Sequence, residues 1–301
     1  MKNIALAMMM GLLVFSGCGS LSPADNGKID VVTSIFPLTD IVNRLGGEMV
    51  VSDSLIPPGS SPHLYEPSPL DIEKLNNAEL VLVVGAGFDD WIRAMMIDSG
   101  IDEAKIVDLS EFVTLRKYGV EVVESDEVED NERGFDPHYW VSPQKVLEFS
   151  DDLSNKLKEL DADSSGLYEN RYESYKSELE ILDQEIKDEV EMFVRKDIVT
   201  LHDSFGYFAQ DYGLNIAAVV EPIGGSESSP KDIENVINKI NELDIVAVYS
   251  EPQLSKDVLD AIEEDLDIKI GELDPLGGIE ARLTYVSIVK YNLLQLKKFL
   301  G

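Results

Sequence analysis

Cysteine occurs once in the 301 residues, at Cys18, which excludes an intrachain disulfide. Histidine is nearly as scarce, with His63, His138 and His202 as its three occurrences. Positive charge is thin: 25 basic residues face 58 acidic ones, for a net charge of −33. Such a surface repels polyanions, so no nucleic-acid partner is expected. The apolar run Ile4 to Phe15 spans twelve residues, short of the roughly 20 that a membrane-spanning helix needs. Neither His-Glu-x-x-His nor Gly-x-Ser-x-Gly is present, which weakens a zinc-hydrolase reading.

What is present begins with a leader. Lys2 supplies a positive start, and Ile4 to Phe15 has the length of a signal-peptide core. Ser16-Gly17-Cys18-Gly19-Ser20 then resembles the cleavage site of a bacterial lipoprotein, with Phe15 standing where Leu is usual. On this reading residues 1–17 are the signal peptide, Cys18 is lipidated, and residues 18–28 are a membrane-anchored tether. Ordinary secretion with an incidental cysteine is the alternative. Both place the chain outside the cytoplasm.

Beyond the tether, an apolar content of 44% and the remaining length suit a globular chain with two domains. Short apolar runs alternate with helical stretches. Ile29–Ser34, Met49–Ile56, Glu79–Val84 and Lys105–Leu109 read as strands of a first half. Asp197–Leu201, Ile216–Val220, Ile245–Tyr249 and Ile268–Leu273 read as strands of a second. This rhythm predicts an α/β protein of two lobes, each a mostly parallel sheet flanked by helices. Between them Tyr168, Tyr172, Tyr175, Leu179, Leu182, Ile186, Val190 and Phe193 recur at steps of three or four. They draw one apolar stripe along a helix of about 39 Å, and no Gly or Pro interrupts the chain from Leu167 to Lys196. One long, rigid helix joining the lobes is expected, with Asp163-Ser164-Ser165 as its cap. The divisions are 29–163, 164–196 and 197–301. A coiled-coil dimer arm is the less favoured alternative, and a monomer is expected.

Each histidine lies at a junction between predicted elements. His63 follows the second strand by a Pro/Gly/Ser loop, and Ser68-Pro69-Leu70-Asp71 behind it has the form of a helix start. His138 precedes a similar start at Ser142-Pro143, and His202 ends the strand from Asp197. Asp274 ends the strand from Ile268. Ligands of open α/β sheets gather beyond the carboxyl ends of the strands, so a cleft between lobes can collect all four. Three imidazoles and a carboxylate are the donor set of a closed tetrahedral zinc site. The positive ends of nearby helices oppose a dication there, but by only about 1 kcal/mol or less.

Longer stretches carry a resemblance. Thr33-Ser34-Ile35-Phe36-Pro37-Leu38, Pro62-His63-Leu64-Tyr65-Glu66-Pro67 and Asp136-Pro137-His138-Tyr139-Trp140 are three of them. Leu201-His202-Asp203-Ser204-Phe205-Gly206, Glu251-Pro252-Gln253, Leu273-Asp274-Pro275-Leu276-Gly277, Tyr285 and Tyr291-Asn292-Leu293 complete the set. Together they resemble the periplasmic or lipid-anchored zinc- and manganese-binding proteins of ABC transporters, the cluster A-I solute-binding proteins. The resemblance implies that His63, His138, His202 and Asp274 hold the metal and that an ABC permease receives it. It implies no enzymatic activity.

Nitrogen-rich donors favour zinc, whereas manganese prefers oxygen. Manganese-devoted members of that family commonly have Glu where this chain has His202, so Zn2+ is expected, with Mn2+ the alternative. Residues 121–132 hold seven acids but no histidine, and read as a solvated loop rather than a metal-gathering one. Two readings of other classes stay open. A zinc hydrolase would use Asp274 as a base rather than a ligand, and a surface adhesin would use zinc structurally.

Overall fold

The computed structural model describes residues 27–118, 134–221, 228–266 and 268–301. The leader with Cys18 and the acidic stretch 121–132 lie outside the described residues. The first half contributes β1 (Ile29–Thr33), β2 (Val50–Ser54), β3 (Leu80–Val83) and β4 (Ile106–Asp108), in the order β2-β1-β3-β4. The second half contributes β5 (Asp197–His202), β6 (Asn215–Glu221), β7 (Ala247–Ser250) and β8 (Lys269–Glu272), in the order β6-β5-β7-β8. Every strand pairing among them is parallel. The reason is local: strands such as Leu80–Val83 are buried at every position, as sheets covered on both faces require. Each sheet reverses its strand order beside its first strand, the place where such folds hold ligands.

Nine helices join or cover these strands among the described residues. They are α1 (Phe36–Gly46), α2 (Pro69–Asn77), α3 (Asp90–Asp98), α4 (Pro143–Leu160), α5 (Ser165–Glu191), α6 (Gly206–Tyr212), α7 (Pro230–Glu242), α8 (Asp257–Leu266) and α9 (Tyr285–Leu300). Proline is the first residue of α2, α4 and α7 and the second of α1, where its missing N–H costs nothing. Ser68 and Asp71 form a reciprocal capping box at α2. Ser142 precedes α4 but makes no cap, because its hydroxyl bonds Asp211 at 2.5 Å.

The long helix α5 runs for 27 residues, and Tyr168, Tyr175, Leu179, Leu182, Ile186 and Val190 are its buried stripe. It ends before Lys196 because Val194 and Arg195 donate their N–H groups to the Leu300 carbonyl, tying the chain to the end of α9. Its start also differs from expectation. Ser164 makes no side-chain cap; Asp161, three residues earlier, accepts from the Ser164 N–H at 3.2 Å. The stripe does not face outward as a dimer arm would. It packs in one apolar cluster with Val31 and Leu82 of the first sheet, Tyr249 of the second, and Leu296 of α9. One core therefore runs through both halves and the helix between them. No helix of the described residues is long and apolar enough to cross a membrane.

Candidate metal centre

The three histidines meet. His63 sits in a single 3-10 turn, Pro62–Leu64, beyond β2; His138 leads into the turn Tyr139–Val141 ahead of α4; His202 is the last residue of β5. One ring nitrogen from each lies within 4.8 Å of the others. Ring centroids are 4.8 Å apart for His63 and His202, and 4.9 Å for His138 and His202. The cavity at which they converge is also lined by Phe88, Trp140, Glu251, Pro275 and Leu276. Its volume is about 10 Å³, room for one water-sized species. His138 and His202 are buried and His63 stands exposed at the rim.

Neighbouring carboxylates fix the inner two rings. Asp136 Oδ1 lies 2.9 Å from His138 Nδ1 and accepts from the His138 backbone N–H at the same distance. That leaves His138 Nε2 buried with no hydrogen-bond partner. Asp136 in turn stands 3.4 Å from the Arg116 guanidinium. Glu251 Oε1 lies 3.5 Å from His202 Nδ1 and accepts the Ser204 hydroxyl at 2.6 Å. Carboxylates behind imidazoles in this way set the tautomer and raise the basicity of the outward nitrogen.

The same surroundings split the protonation of the three rings. Burial, reinforced by the neighbouring His202, holds His138 well below the usual imidazole range. Burial of its inner edge and repulsion from His202 and His138 push His63 down to about 3. Burial also opposes a charge on His202, but the Glu251 carboxylate overrides it and raises the pKa. Burial raises Asp136 to about 6, restrained by the His138 N–H and Arg116. These surroundings favour the neutral, donor-ready form of His63 and His138 and the charged form of His202.

Asp274 follows β8 and is fully buried. It is not one of the three clustered ligands, although the next two residues line the same cavity. Its Oδ1 accepts from Gln253 Nε2 at 2.8 Å and from the Leu276 and Gly277 N–H groups at 3.0 and 2.9 Å. Its Oδ2 accepts no hydrogen bond and faces the Arg282 guanidinium at 3.2 Å. The loop can wrap its carboxylate this way because Gly277 and Gly278 adopt φ of 62° and 76°. A side chain on Gly278 would also meet Pro58 of the first half at 2.8 Å. Across the same seam Trp140 donates its indole N–H to the Pro275 carbonyl at 2.8 Å. Asp136, Glu251 and Arg282 were not assigned roles from sequence. The Asp-Pro-His spacing is a usable signal for Asp136, since a carboxylate two residues before a histidine reaches its Nδ1. Glu251 stands in the Glu251-Pro252-Gln253 motif, but nothing local ties it to His202, and Arg282 gives no local signal.

Comparison with known proteins finds similarity to metal-binding proteins of transport systems. Residues 31–299 match the family described as ZnuA, zinc-uptake complex component A, periplasmic. The chain is 27% identical over 304 residues to the manganese-binding lipoprotein MntA of Halalkalibacterium halodurans, covering 97% of each chain. It is 25% identical to the high-affinity zinc uptake system protein ZnuA of Bacillus subtilis, covering 95% of this chain and 93% of that one. Among solved structures it is similar to the periplasmic zinc-binding protein TroA of Treponema pallidum. The TM-score there is 0.79 at 26% identity, covering 91% of this chain and all of that one.

Proposed function

The chain belongs to the zinc-uptake complex component A family, and on that premise we propose that it is an extracytoplasmic zinc-binding protein delivering the ion to an ABC permease. The observation that carries this is the convergence of three imidazoles, from three separate stretches, on a cavity the size of one ion. His63, His138 and His202 supply nitrogen, and the unbonded Oδ2 of Asp274 supplies the fourth donor. Four protein donors close a tetrahedral site, which suits carriage rather than catalysis. Lipidated Cys18 anchors the chain to the membrane, and a monomer suffices because one chain provides all the ligands.

Manganese is the second reading, favoured by the similarity to a manganese-binding lipoprotein. Three nitrogen donors weigh against it, because manganese prefers oxygen. Calorimetry of zinc and manganese on the chain from Ser20 onward decides between them. Zinc is expected to bind more tightly at one ion per chain, and the reverse order overturns the zinc assignment. His202→Ala is expected to abolish tight binding, and unchanged affinity removes that residue from the set.

A further inference from the structure

Arg282 lies within ion-pair distance of the carboxylate that the ligand set requires. Its guanidinium is buried, with 5% of the residue exposed, and rests over the Tyr291 ring at 4.3 Å from the centroid. Three carboxylates surround it: Glu272 at 2.7 Å, Asp274 at 3.2 Å and Glu280 at 3.7 Å. The Glu272 contact is a true hydrogen bond, and Tyr291 donates its hydroxyl to the same Glu272 oxygen at 2.7 Å. The Asp274 contact is not: Oδ2 is buried, accepts no hydrogen bond, and has only the facing positive charge. The other oxygen is saturated by three donors, so Oδ2 is the one with a free lone pair.

We propose that Arg282 is a built-in rival cation that holds Asp274 in the metal-free protein and sets how tightly the ion is kept. A buried carboxylate without a counter-charge is costly, and Arg282 removes that cost when the site is empty of metal. An arriving dication must share Oδ2 with a guanidinium fixed nearby, and the repulsion between the two positive charges weakens its hold. Glu272 sets the balance by drawing Arg282 the other way through the shorter contact. A carrier must let go of its cargo, and a cation already paired with one ligand lowers the barrier to doing so. Arg282 is therefore a positioning residue that acts through Asp274, and its role rests on Asp274 being a ligand as proposed above.

Two variants predict opposite signs. In Arg282→Gln, zinc affinity is expected to rise by about tenfold or more, because the rival charge is gone. The metal-free protein should melt lower while the zinc-induced rise in Tm grows. In Glu272→Gln, a half-buried change that spares the core, Arg282 turns more fully to Asp274 and zinc affinity should fall. Zinc titration and thermal melts with and without zinc read both variants, and Glu272→Gln keeps the test alive if Arg282→Gln fails to fold. Equal loss of Tm with and without zinc in Arg282→Gln, at unchanged affinity, overturns the proposal and makes Arg282 merely structural. So does a rise in affinity in Glu272→Gln. Asp274→Ala separates the two levels: if it loses zinc affinity while the Arg282 and Glu272 variants stay unmoved, only the role of Arg282 falls. If Asp274→Ala binds zinc as before, the ligand set itself falls, and Arg282 with it.

Discussion

Acidification is the sharpest perturbation of this centre, because the three imidazoles do not titrate alike. His63 and His138 are depressed, so both are already neutral near pH 6.5. His202 is raised by Glu251, so at that pH it is mostly protonated and must lose its proton for the ion to bind. The sign follows: zinc competes with a proton on His202, so affinity falls as pH drops through the raised His202 pKa. Each pH unit below it costs about tenfold, about 1.4 kcal/mol. Asp136, raised to about 6, adds a second proton lower down, since an ion beside His138 favours its charged form. Calorimetric titration of zinc in buffers of different ionisation heat counts the protons released. About one is expected at pH 6.5 and about two at pH 5.5. Release of three protons at pH 6.5 would mean that His63 and His138 are also charged there. Release of none would mean that Glu251 does not hold His202 in its cationic form. Either result refutes the reasoning.

Asp136→Asn keeps the shape but swaps the charged acceptor behind His138, and zinc affinity should drop about 10- to 100-fold in direct titration, with near-normal far-UV circular dichroism. Leu179→Ala removes a fully buried side chain from the stripe of α5, and urea unfolding should show a loss of about 2–5 kcal/mol with zinc affinity little changed.

Strand periodicity was informative because both sheets are buried on two faces: all eight apolar runs became strands, with ends shifted by a residue or two. The helix start at Ser68-Pro69 was legible because its signals are local, and the structure adds that Ser68 and Asp71 cap it reciprocally. Where a local rule failed, a distant partner had intervened. Ser142 has the form of a cap, but Asp211 takes its hydroxyl from 69 residues away. The stretch to Lys196 has no helix breaker, yet the Leu300 carbonyl draws the backbone out of α5. Spacing located the histidines at element junctions, and the structure brought them together. It could not foresee that Asp274 would face Arg282, or that Glu251 would back His202 across 49 positions of chain.

The seam between the halves is glued rather than hinged. Val31, Leu82, Leu179, Tyr249 and Leu296 belong to one oily continuum, and parting the sheets like jaws would expose that continuum to water. Of the three clustered imidazoles only His63 stands exposed, so the cluster meets solvent on its side while the shared core stays closed behind it.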